Sequence, residues 1–239
     1  MATRMPARRN TAIPSRESLT AKRERAEAVL AALRASYPHS RTALHWQDPF
    51  QLLVATILSA QCTDERVNMV TPALFARFPD PPAMAEAGQE ELERLIHSTG
   101  FFRNKAKNIR GASARIVDEH GGAVPETMDE LLALPGVARK TANCVLGTAF
   151  GQESGVVVDT HVGRLARRMG FSNEQDPVKV ERDLVRVFPS PSWVYLSHAW
   201  IDLGREWCTA RRVWCAQCPL AALCPQRIET GTPIGGPGR

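Results

Sequence analysis

In "LPGVARKTANCVLGTAF", Arg139 and Lys140 stand where a tight turn should feed an apolar helix. A helix N-terminus carries about half a positive charge and favours anions, so two cations there need a reason. The helix end and Arg139 both disfavour protonation of Lys140, and a neutral amine is a nucleophile. An ordinary solvated basic residue would fit the same position. Further on, "VVVDTHVGRLARRMG" puts Asp159 or Thr160 at the N-cap of a helix ending at Gly170. An aspartate at an N-cap stays ionised. It could also take a proton from Lys140 or face positive charge developing on a sugar.

Cys208, Cys215, Cys218 and Cys224 follow the pattern C-x6-C-x2-C-x5-C within seventeen residues. Disulfides suit this chain poorly, because no signal peptide is visible and four thiols would crowd one short loop. A metal suits it well, and tetrahedral zinc and an iron–sulfur cluster both use four thiolates. Between the first two cysteines, "TARRVW" sets Arg211 and Arg212 on a loop that metal would pin at both ends, a good arrangement for phosphate contacts. Cys62 and Cys144 fall in apolar helical runs and read as small core residues. Trp193, Trp200, Trp207 and Trp214 recur every seven residues and also read as core.

The elements that must position these residues are helices. Apolar residues recur at helical spacing almost throughout, and the punctuation predicts roughly ten short helices. Asp48-Pro49, Thr71-Pro72 and Asp176-Pro177 each pair a capping side chain with proline at the first helical position, and Thr127 with Glu130 makes a capping box. The one β-like run, "GVVVDT", is too isolated for a sheet and predicts an extended connection. Pro135-Gly136-Val137 is too short to hold its two helices apart, so they fold back as a hairpin. Gly136 permits a positive φ or a close approach, and the amides beyond it could form an anion site, although an ordinary αα-hairpin would read the same.

The chain has 239 residues, 44% of them hydrophobic, enough for one large domain or two small ones. Its net charge of +5 favours an anionic partner. Residues 1–19 read as a disordered basic arm, and residues 229–239, with "TGTPIGGPGR", as a disordered tail. No apolar run suits a membrane span, so a soluble, intracellular protein is expected.

The hairpin with its outward lysine, the later "VDTH" and the four spaced cysteines together resemble the endonuclease III family of DNA repair glycosylases. "LLVATILSAQCTD" and "KTAN" match as well, and the resemblance runs from about Thr20 to Cys224. It implies an all-α, two-lobed helix-hairpin-helix DNA glycosylase fold that binds damaged double-stranded DNA across the groove between its lobes. One lobe is a six-helix barrel over residues 42–152. The other, an iron–sulfur lobe, joins residues 20–41 to residues 153–228. The resemblance prefers a 4Fe-4S cluster over zinc.

For the site, the resemblance implies that Lys140 attacks the sugar of a flipped-out nucleotide, with Asp159 assisting, in a bifunctional glycosylase and abasic-site lyase. Oxidised or saturated pyrimidines are the usual substrates. DNA contacts are expected at Gln61, Phe101, Gly136, Ala138, Arg139, Thr141, His161, Arg211 and Arg212. Gln61 would enter the base stack and Phe101 would wedge against the opposite strand. Ala138 stands where the family usually has glycine. A monomer is expected, with no membrane association. Lys140 argues against a monofunctional adenine glycosylase, and Lys140 with Asp159 argues against a non-enzymatic DNA-binding protein.

Overall fold

The computed structural model describes residues 13, 17–228 and 232–235. Eleven α-helices occur among them, and no β-strand. The chain divides into two compact units, Thr42–Ser154 and the residues up to Arg41 with those from Gly155 onward.

The Thr42–Ser154 unit holds α2 (Pro49–Leu58), α3 (Asp64–Arg77), α4 (Pro81–Ala85), α5 (Gln89–Ile96), α6 (Phe102–His120), α7 (Met128–Ala133) and α8 (Arg139–Ala149). α4 is a five-residue turn, which leaves six longer helices. α2 is apolar on most of its faces and buries Leu52, Leu53, Val54, Ala55, Ile57 and Leu58, as a central helix must. Around it pack Leu74, Leu92, Ile96, Ile109, Ile116 and Leu146.

Asp48 opens α2 as expected, its carboxylate accepting from the Gln51 amide at 2.8 Å. Thr71-Pro72 does not open a helix. α3 starts at Asp64 on a Thr63 cap and runs through Pro72. Val67, Thr71 and Leu74 form one buried stripe, and that burial outweighs the main-chain hydrogen bond proline removes. Thr127 opens α7, its hydroxyl accepting from the Glu130 amide at 3.3 Å.

The second unit holds α1 (Leu19–Ser36), α9 (Thr160–Arg168), α10 (Pro177–Val185) and α11 (Trp193–Glu206). Trp200 is fully buried, edge-on to Phe188 with ring centroids 5.6 Å apart. Trp193 and Trp207 pack partly buried against the same core. "GVVVDT" forms an irregular connection into α9.

Both termini correct the sequence reading in part. Glu17, Ser18 and Leu19 are not part of a loose arm: Ser18 caps α1, and Glu17 pairs with Arg25 at 2.6 Å in a buried contact. Most of residues 1–16 lie outside the described residues. Near the other end, the Val213 amide donates to Pro233 O at 3.0 Å and the Gly235 amide to Val213 O at 2.6 Å. That short pairing gives the tail a partner the sequence did not reveal. Residues 229–231 and 236–239 lie outside the described residues.

Candidate active site and nucleic-acid interface

α7 and α8 form the expected hairpin, closed by the Val137 amide donating to Leu134 O at 3.2 Å. Gly136 has φ +77°, and a Cβ there would meet the Asn108 side chain at 2.7 Å. α6 supports the turn at three places on one face. Asn108 abuts Gly136, Gly111 leaves room for Pro135, and Arg115 Nη1 donates to Ala133 O at 2.6 Å.

α8 begins on Ala138, which offers no side-chain cap. Arg139 and Lys140 are exposed in its first turn, and Thr141 is half-buried. One turn further along α8, Cys144 lies 3.9 Å from Thr56 Oγ1, and burial pushes its thiol above the ordinary cysteine value.

In the other unit Asp159 is the N-cap of α9, its Oδ1 accepting from the Val162 amide at 2.8 Å. His161 follows on the same turn. Arg164 Nη2 lies 3.1 Å from His161 Nδ1. Burial holds the His161 pKa below its ordinary value, and nearby Asp159 opposes the shift. Arg164 also bonds Gly204 O and Cys208 O, at 3.1 and 2.9 Å, tying α9 to α11 and to the first cysteine.

Gln61 and Phe101 share an unusual backbone. Their φ values are 53° and 48°, and Gln226 is the other non-glycine residue with positive φ among those described. Phe101 is 65% exposed, whereas Phe102 turns inward against His97, with ring centroids 4.4 Å apart. Of the adjacent pair, Phe102 is the anchor and Phe101 is available to a ligand.

The four cysteines lie along the loop after α11. Burial pushes Cys218 and Cys224 up to about 12, and the neighbouring cysteines add to both shifts. Arg168 Nη1 donates to Cys208 Sγ at 3.3 Å, and the Gln226 amide donates to Cys224 Sγ at 3.3 Å. Among the described residues no three His, Cys, Asp or Glu side chains are gathered as a single ion's ligand set. Within the loop the Arg212 amide donates to Thr209 Oγ1 at 3.0 Å, and the Arg212 guanidinium lies over the Trp214 ring at 6.0 Å. Arg211 and Arg212 are both exposed.

Sequence reasoning missed the residues that hold these groups in place: Lys105, Asn108, Arg164 and Arg168. Lys105 carried a readable signal. It falls in phase with Ile109, Ala112 and Ile116 on the buried stripe of α6, an unusual place for a lysine.

Residues 54–190 match the HhH-GPD superfamily of base excision DNA repair proteins. The chain is 56% identical to endonuclease III of Synechocystis sp. over 207 residues, which cover 87% of this chain and 94% of that protein. The chain belongs to the endonuclease III family. It is 42% identical to endonuclease III of Escherichia coli K12 over 68% of its own length and 76% of that protein's. A trapped endonuclease III–DNA covalent intermediate superposes with a TM-score of 0.79 at 40% identity, covering 84% of this chain and 95% of that one. As an endonuclease III family member, the chain is a base excision repair DNA glycosylase with abasic-site lyase activity, acting on damaged duplex DNA. No helix among the described residues is long and apolar enough to cross a membrane.

Proposed function

We propose that this glycosylase removes oxidised or saturated pyrimidines through a Schiff base on Lys140 and then cleaves the strand by β-elimination. The start of α8 carries the reading. Asp or Thr side chains cap α2, α3, α7, α9 and α10; α8, like α5, α6 and α11, has no side-chain cap, and of these four it is the one that follows the Pro135-Gly136-Val137 turn and exposes a lysine, Lys140, in its first turn. Uncapped amides at a helix start attract phosphate. The turn that would grip the DNA backbone therefore also presents the amine.

The target nucleotide must leave the stack, at a cost of a few kcal/mol. The lone pair of Lys140 Nζ attacks C1′, and the electron pair of the C1′–N bond departs with the base. The nitrogen gives up a proton, which we assign to Asp159 Oδ2, since Oδ1 is engaged by the Val162 amide. The Asp159 charge also opposes the positive charge developing on the sugar. The nitrogen lone pair then breaks the C1′–O4′ bond, O4′ takes the proton back from Asp159, and a protonated imine is left between Nζ and C1′. Loss of a proton from C2′ then expels the 3′ phosphate.

The four cysteines fit a 4Fe-4S cluster: the donor set is four thiols, and main-chain and arginine donors reach two of the sulfurs. A cluster that gives each thiolate its own iron needs wider spacing than one tetrahedral ion. When bound, it would pin the loop bearing Arg211 and Arg212, and no step of base excision runs through it. Gly136, Ala138, Arg139, Thr141, His161, Arg211 and Arg212 would contact DNA, while Gln61 and Phe101 would fill the gap left by the flipped nucleotide. The setting is the bacterial cytoplasm, at the nucleoid, with the protein acting as a monomer.

Borohydride reduction on a panel of single-lesion duplexes tests the reading. The wild-type protein should be trapped on oxidised pyrimidines, and Lys140→Ala should bind the same duplexes without trapping. Undiminished trapping by that variant would refute the assignment. Base release without any trapping by the wild type would point to water as the nucleophile.

A further inference from the structure

Lys105 is a buried cation whose two side-chain hydrogen bonds both go to main-chain oxygens. Its Nζ donates to Leu58 O and to Thr99 O, each at 2.8 Å, and it is 5% exposed. Leu58 is the last residue of α2, and Thr99 is the last residue of the 3-10 turn His97–Thr99. α2 has no basic residue of its own in its last turn, so the Lys105 ammonium is the cation at that helix end. Its main-chain amide adds a third bond, to Phe101 O at 3.1 Å.

Both oxygens lie just before a strained residue. Gln61 follows Leu58 by three positions and Phe101 follows Thr99 by two, and each has positive φ. Non-glycine residues hold such a conformation only where their surroundings enforce it, and strain of this kind gathers at functional clamps. A buried ammonium bonded to no carboxylate is costly to keep. Burial accordingly lowers the Lys105 pKa from its ordinary value.

We propose that Lys105 is a positioning residue for nucleotide extrusion: its ammonium clamps the exit of α2 to the exit of the His97–Thr99 turn, fixing Gln61 relative to Phe101 so that both enter one base stack together. This rests on the reading that Gln61 and Phe101 fill the gap left by the flipped nucleotide. Neither loop alone sets the spacing, because the two segments come from distant parts of the sequence and meet at this nitrogen. A stack-filling pair loses its purpose if its members drift apart, whereas the attack by Lys140 on an already exposed nucleotide does not need them.

The test uses the full chain and single-turnover excision of an oxidised pyrimidine, in a fully paired duplex and in a single strand. Lys105→Met keeps the side-chain length and removes the donors. It should slow excision from paired duplex by up to about a hundredfold, the scale of a 1 Å misplacement, while the single-strand rate changes little. Combined with Phe101→Ala, its loss should be less than additive, since both act on one step. If Lys105→Met does not fold, Lys105→Gln, which retains donor hydrogens, is read in the same assay and should show a smaller split of the same sense. Equal losses on the two substrates, or no loss on paired duplex, would overturn the proposal. Phe101→Ala and Gln61→Ala separate the two levels. If they too show no split, the stack-filling reading fails and takes the clamp with it; if they split and Lys105→Met does not, only the clamp fails.

Discussion

Gly136 and Asn108 approach so closely that a Cβ on the glycine would lie 2.7 Å from the Cβ of Asn108. The hairpin therefore sits flush on α6, and its φ of +77° already disfavours any side chain. Gly136→Ala should cost about 1 to 3 kcal/mol of stability and weaken duplex binding. Thermal unfolding and fluorescence anisotropy would check both, and wild-type behaviour in each would mean that α6 can yield.

Asp159 caps α9 and is also assigned the proton, and two substitutions separate these roles. Asn caps a helix about as well as Asp, so Asp159→Asn should keep the melting temperature while turnover falls steeply. Asp159→Ala should lose turnover and, in addition, about 1 kcal/mol of stability. If Asp159→Asn retains full turnover, the residue is a cap and nothing more.

His161 should make the protein sensitive to mild acid. Burial lowers its folded pKa, so the unfolded chain binds the proton first as pH falls below about 6.5. The stability this neutral ring contributes is complete above that value and is lost as pH falls towards the folded pKa. His161→Asn, whose side chain can still accept from Arg164, should flatten that limb of the stability–pH curve. An unchanged slope would assign the acid sensitivity to other groups.

Arg211 and Arg212 should act on DNA regardless of damage. Replacing either with alanine should flatten the logarithmic salt dependence of binding by about 0.9 for each phosphate left unneutralised, on lesion and undamaged duplex alike. A loss confined to damaged DNA would contradict a phosphate role.

Purified protein should be yellow-brown and contain about four irons per chain, with absorption from thiolate-to-iron charge transfer. Cys215→Ser should reduce both iron and colour. Stoichiometric zinc without iron would instead fit the tetrahedral alternative.

Much of this was legible in the sequence because it depended on local chemistry. Asp48, Thr127, Asp159 and Asp176 cap the helices their positions predict, since a cap is a contact made within one turn. Pro72 misled for the opposite reason: the burial of Val67, Thr71 and Leu74 is set by other helices, and it outweighed a local signal. Phe101 and Phe102 could not be told apart by type, because only the packing of Phe102 against the core, beside the exposure of Phe101, shows which one faces inward. The pairing of Pro233 and Gly235 with Val213 leaves no periodic trace in a glycine-rich tail.

Arg25 gives the fold a schedule. Its guanidinium bonds Glu17 nearby, but also Met169 O at 3.0 Å and Leu223 O at 3.2 Å, the latter 198 positions further along the chain. On a ribosome adding about 5 to 20 residues per second, α1 would emerge and wait roughly 10 to 40 s for Leu223 to be made. Every segment of the Thr42–Ser154 unit is synthesised within that interval. The hairpin that presents Lys140 can thus be assembled while its companion unit is still in two pieces, and a nascent chain halted before Leu223 would leave Arg25 without that acceptor.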